Sequence, residues 1–89
     1  MPKIFTKDPD AVMDFTIDWE DWLNGDTISS SSWILPTGIT NDSDTETDST
    51  TTIWLSGGTK GMKCSIVNRI ETAGGRTDDR TIIVNVEDK

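Results

Sequence analysis

Thr50-Thr51-Thr52-Ile53-Trp54-Leu55-Ser56-Gly57-Gly58-Thr59-Lys60-Gly61-Met62-Lys63-Cys64-Ser65-Ile66-Val67-Asn68-Arg69-Ile70-Glu71 is the stretch that decides the fold. Apolar and β-branched residues alternate with polar ones on both sides of a glycine-rich break. After Thr72-Ala73-Gly74-Gly75-Arg76 the alternation resumes, from Arg80 to Val86. Period-two patterning sends successive side chains to opposite faces, which marks half-buried strands rather than helices. Cys64, Ile66, Asn68 and Ile70 form one inward row, and Ile82, Val84 and Val86 form another. The three runs are expected to make an antiparallel meander, with 57–61 as a hairpin turn.

Upstream, Met13, Phe15, Ile17 and Trp19 alternate with Asp14, Thr16 and Asp18, which predicts a strand over 12–19. Glu20-Asp21-Trp22-Leu23-Asn24-Gly25 cannot extend it, and Asn-Gly is a strong turn pair, so one helical turn is expected near 20–24. Another strand follows over 27–35, with Ile28, Ser30, Ser32 and Ile34 on one face and Trp33 and Leu35 on the other. In 39–48, Asp42, Asp44, Glu46 and Asp48 alternate with Ser43, Thr45 and Thr47, so both faces are polar. That segment reads either as an edge strand protected by charge or as a mobile loop. About seven short strands at even spacing predict an all-β antiparallel sandwich of immunoglobulin type. Asp8-Pro9-Asp10 stops an extended arm at 1–10, leaving 11–89 as a single sandwich domain.

Eighty-nine residues allow one core and no second domain. The single cysteine excludes an internal disulfide, and Cys64 is expected as a small buried residue. Met1 to Thr6 has no extended apolar run, and no stretch reaches transmembrane length, so synthesis in a cytoplasm is expected, with no membrane partner. The formal net charge is −8. Its layout is uneven: eleven carboxylates and no Lys or Arg lie between Asp8 and Asp48. Such a field repels nucleic acid, so none is expected as a partner.

Catalytic chemistry finds little support. Without histidine the chain lacks the commonest general base and metal ligand, and a lone cysteine has no base to activate it. The carboxylate pairs Asp18 with Glu20 and Asp78 with Asp79 are what so acidic a composition produces by chance. Counted as a calcium loop from Asp42, the sixth and twelfth positions hold Thr47 and Ile53, where glycine and glutamate are required. The Gly57–Gly61 run lacks the Gly-Lys-Ser/Thr ending and the following helix of a phosphate loop. No catalytic residue, cofactor or metal is therefore expected, and the chain is read as not an enzyme.

Protein contacts are the remaining possibility. Trp19 and Trp22 flank Glu20-Asp21. They either fold over one end of the sandwich as a plug or leave Trp22-Leu23 exposed as an anchor, since aromatics dominate interface hot spots. Lys3, Ile4 and Phe5 on the arm suit strand addition to a neighbour. With Arg76, these residues are the candidate partner-binding set. Trp22 or Trp54 could also serve a carbohydrate-binding sandwich as a stacking platform.

Asp14-Phe15-Thr16-Ile17-Asp18-Trp19, Gly25-Asp26-Thr27-Ile28, Trp54-Leu55-Ser56-Gly57-Gly58 and Asn68-Arg69-Ile70-Glu71-Thr72-Ala73-Gly74-Gly75-Arg76-Thr77-Asp78-Asp79-Arg80 carry a family resemblance. The chain resembles small immunoglobulin-like virion proteins of tailed bacteriophages, over about Lys3 to Val86. The resemblance implies a structural protein of the particle that decorates or cements the capsid, with a head-tail neck or tail position as the alternative. It implies the major capsid protein or another virion protein as partner, many copies or a homo-oligomer on the particle, and no enzymatic activity. Where such chains often carry a tyrosine on the penultimate strand, this one has Met62 and Cys64, and it contains no tyrosine for a corner hydrogen bond. A third reading, from the eleven carboxylates, is an acidic nucleic-acid mimic that inhibits a host enzyme.

Overall fold

The computed structural model describes residues 3–87, and of Lys3 the backbone alone. Two sheets face each other. One has four strands: β1 (Lys3–Lys7), β7 (Thr77–Val86), β6 (Lys63–Thr72) and β3 (Ile28–Ile34), in that spatial order. The other has β2 (Met13–Asp18), β5 (Thr50–Gly57) and β4 (Ile39–Glu46). A one-turn helix, α1 (Glu20–Leu23), links β2 to β3. The second, fifth and fourth strands against the third, sixth and seventh is the immunoglobulin arrangement, so the all-β sandwich read from the alternation is the fold present.

The inward rows meet where the pattern placed them. Phe15, Ile17 and Trp19 from β2 and its end, Ile53 and Leu55 from β5, Cys64, Ile66 and Ile70 from β6, and Ile82, Val84 and Val86 from β7 are all buried. Burying an aliphatic side chain of this size contributes about 1.5–3 kcal/mol, so these rows dominate stability. Burial raises the pKa of the Cys64 thiol, which keeps it protonated and unreactive.

Three expectations need correction. The closing meander is absent: β5 pairs with β2 and β4 in the other sheet, and of the last three strands only β6 and β7 pair with each other. Residues 57–61 are not a hairpin turn but an arch that carries the chain between sheets. Gly58 N–H donates to Gly38 O, and Gly61 N–H donates to Val86 O. Gly58 has φ +93°, and a Cβ there would lie 2.8 Å from Val86 Cγ2, so this crossing requires glycine.

The sandwich is also not wholly antiparallel, because the arm joins it. β1 runs parallel to β7, from Lys3 beside Ile82 to Lys7 beside Val86. Its inward side chains explain the attachment. Phe5 packs edge-on to Phe15 with ring centres 5.1 Å apart. Lys7 is fully buried, and its Nζ donates to Gly57 O at 2.7 Å and Asp8 O at 2.9 Å. A buried ammonium held by two carbonyls seals the arch.

Third, a bulge between Ile28 and Ser30 breaks the alternation of β3. The extra residue reverses the faces beyond it. Ile28 is buried while Ile34 is 50% exposed, and Ser31, Trp33 and Leu35 turn inward instead of Ser30 and Ser32. Segment 39–46, left open between edge strand and loop, is the edge strand β4, with only Ile39 buried.

Candidate functional site

The end of the sandwich beneath α1 is organised by a polar cluster inside the core. Trp19 Nε1 donates to Asn68 Oδ1 at 3.0 Å and to Thr51 Oγ1 at 3.3 Å. Thr51 Oγ1 donates to Asn68 Oδ1 at 2.7 Å, and Asn68 Nδ2 donates to Ser31 Oγ and Ser32 O. Trp19, Thr51 and Asn68 are fully buried. The cluster joins the end of β2 and β5 in one sheet to β6 and β3 in the other. Antibody domains place a disulfide between the equivalent second and sixth strands, and here hydrogen bonds bridge them.

Two arginines close over this end. The Arg76 guanidinium lies 4.2 Å from the centre of the Trp22 ring, and that of Arg80 lies 4.3 Å from Trp19. Arg76 also donates to Leu23 O at 2.7 Å and Trp22 O at 3.4 Å, carbonyls in the last turn of α1, the former also accepting from Asp26 N–H, and its Nε is 3.2 Å from Asp26 Oδ2. Arg80 donates to Asp18 O at 2.8 Å. Asp26 accepts from the Thr27 and Gly74 N–H groups. The Thr72 hydroxyl, these backbone donors and Arg76 lower its pKa to about 2.

Of the candidate partner-binding residues, Trp22, Leu23 and Arg76 are brought together here, as a plug. Leu23 is 2% exposed and belongs to the core, so of this pair only Trp22 presents side-chain surface to solvent. Trp22 is half-buried beneath Arg76. Lys3, Ile4 and Phe5 stand apart from this cluster, along the second half of β7. Ile4 points outward and is 66% exposed, Phe5 points inward, and the side chain of Lys3 lies outside the described residues.

The outer faces of the two sheets differ. On the four-stranded sheet, Ile4, Ile83, Val67 and Ile34 make a diagonal apolar band: Ile4 is beside Ile83 and Val67 beside Ile34 in register. Arg69 and Asp79 border it, paired bidentately at 2.8 and 3.0 Å. That hydrogen bond lowers the pKa of Asp79 and raises that of Arg69. The three-stranded sheet carries Asp14, Asp18, Asp42, Asp44 and Glu46 and neither Lys nor Arg. Trp54, 42% exposed, stands at its centre between Asp14 on β2 and Ser43 on β4. Among the described residues no group of three or more His, Cys, Asp or Glu is placed to hold a metal ion.

The sequence reading missed the apolar band and the buried role of Lys7. A β-bulge and an arm that docks at long range create these features, and neither leaves a periodic signal. Asn68 in an otherwise apolar row was the one visible sign of the polar cluster.

A family described as podophage GP4 fiber-tail adaptor protein gp77 matches residues 7–85. The chain belongs to this family. The gp77 match spans both sheets, every strand but most of β1, and the plugged end. It makes the chain a phage virion structural protein whose place is the virion. Capsid decoration, the position put first from the sequence, is not what the family description names, and the tail alternative agrees with it better. No curated protein matches the chain.

Proposed function

We propose that this chain is a non-enzymatic adaptor of the phage tail that joins fibre and tail proteins through protein–protein contacts. The gp77 family match over residues 7–85 carries this reading. The geometry supports it in two ways. An adaptor must hold two unlike partners, and the outer faces of this sandwich are unlike: one apolar and charge-paired, the other acidic with an exposed indole. The plugged end and inter-sheet cluster make the body a stiff spacer, which limits the ordering cost of bridging. Tail components, rather than the major capsid protein, are the partners in this reading. Repetition around the tail axis would let modest contacts accumulate.

Particles assembled without this chain test the proposal. They should hold filled heads and tails but lack fibres, and adding the purified domain should restore fibre attachment. Fibres attached at normal occupancy in its absence, or heads that lose integrity instead, would reject the tail reading. An acidic inhibitor would be absent from purified particles altogether.

A further inference from the structure

Trp54 sits at the centre of the β2-β5-β4 outer face with Asp14 directly across on one side and Ser43 on the other. Directly opposed residues in a sheet have Cβ atoms about 4.5–5.5 Å apart, so the Asp14 carboxylate is within reach of the indole. A second carboxylate is brought onto the same face by the bulge between Asn41 and Ser43. Asp42 Oδ1 accepts from Ser56 Oγ at 2.6 Å, which holds it on the outer surface beside β5. Among the described residues neither Asp14 nor Asp42 is in an ion pair.

The same molecule shows what such a combination holds. Trp22 and Asp26 grip the Arg76 guanidinium, with the ring 4.2 Å beneath it and the carboxylate 3.2 Å from Nε. Trp19 and the Asp18 carbonyl do the same for Arg80. At Trp54 and Asp14 the ring and the carboxylate recur on the outer face of a sheet, and among the described residues no guanidinium is paired with them.

We infer that this face docks a basic segment of a partner protein, laying an arginine on Trp54 with Asp14 and Asp42 as acceptors. Arginine suits the site better than lysine because its planar group stacks on an indole while donating sideways to carboxylates. Charge selects the class of occupant: a sheet with five carboxylates and no cation favours a cationic ligand over a neutral glycan. A second copy of the chain is a poor occupant. Arg69, the arginine on the outer face of the opposite sheet, is already engaged by Asp79. The inference rests on the adaptor reading for the identity of the partner as a virion protein, but not for the binding chemistry.

The test uses the full chain, ¹⁵N-labelled, titrated with the peptide acetyl-Gly-Arg-Ser-Arg-Gly-Arg-amide and with its citrulline counterpart. The arginine peptide should shift the Trp54 indole N–H and the Asp14 and Ser43 amides. Citrulline should abolish the shifts, and raised salt should weaken them. Trp54→Ser and Asp14→Asn should each lower affinity by about fivefold, while Trp54→Phe retains part of it. Circular dichroism should show both variants folded, since both side chains are on the solvent face. No shift at Trp54, shifts spread evenly over all carboxylates, an equal response to citrulline, or a Trp54 shift produced by an oligosaccharide mixture instead would overturn the inference. Chain abundance in purified particles separates the two claims. If the chain is absent, the adaptor reading fails whatever the peptide does. Wild-type occupancy of Asp14→Asn and Trp54→Ser variants defeats only the assignment of this face.

Discussion

Trp22 and Trp54 both lie beside carboxylates, yet one is closed by its own chain and the other is open. At Trp22 the helix carbonyls, Asp26 and the indole converge on Arg76, and the end of the sandwich is sealed. At Trp54 the indole and Asp14 face solvent on a sheet without a single cation. The difference is one of topology rather than residue type. The β6–β7 hairpin returns the basic part of the chain beneath α1, whereas β4 and β5 pair only with acidic or neutral neighbours. Similar chemistry thus stabilises the fold at one place and remains available to a partner at the other.

Substitutions at the closed end should cost more stability than those at the open face. The largest loss is expected for Asn68→Ala, which leaves the Trp19 indole N–H without its main acceptor and the Ser31 and Ser32 groups without a donor. A loss of about 2–4 kcal/mol in urea unfolding is expected. Replacing Arg76 by Ala uncovers Trp22 and removes a donor from the Trp22 and Leu23 carbonyls, at a cost of about 1–2 kcal/mol. Trp54→Ser should cost less, about 0.5–1 kcal/mol, because its partly exposed side chain gives up only cross-strand contacts on the outer face. If Trp54→Ser destabilised the chain as much as Arg76→Ala, the division between a structural and an available tryptophan would collapse.

Acid sharpens the same contrast. Asp26 titrates at about 2 in the folded chain against an ordinary 3.8, so its ionised form favours the folded state. That contribution is fully present above the ordinary value and is lost as pH falls toward 2. Asp26→Asn should therefore flatten the dependence of unfolding midpoint on pH in that window. An unchanged slope would mean that the carboxylate is not engaged by Thr72, Thr27, Gly74 and Arg76 in solution.

Much of the sandwich was legible because alternation survives wherever a strand is flanked on both sides. The rows Cys64-Ile66-Asn68-Ile70 and Ile82-Val84-Val86, and the helical turn before Asn24-Gly25, follow from local pattern. The failures share a cause. Whether Gly57 to Gly61 turns back or crosses between sheets depends on Gly38 and Val86, far away in sequence. The docking of Ile4-Phe5 depends on Phe15 and β7, and five residues are too few to show a period. Ser29 is invisible as a bulge in a run of four serines. For the candidate site, composition reported acidity and four tryptophans. Only the register shows which tryptophan is capped by arginine and which faces solvent.

The most direct measurement is an image of the intact particle at side-chain resolution. The expected result places the domain between tail and fibre, with the two sheet faces against different proteins and a basic partner segment over Trp54. Finding it on the capsid lattice, or nowhere on the particle, would contradict the adaptor assignment.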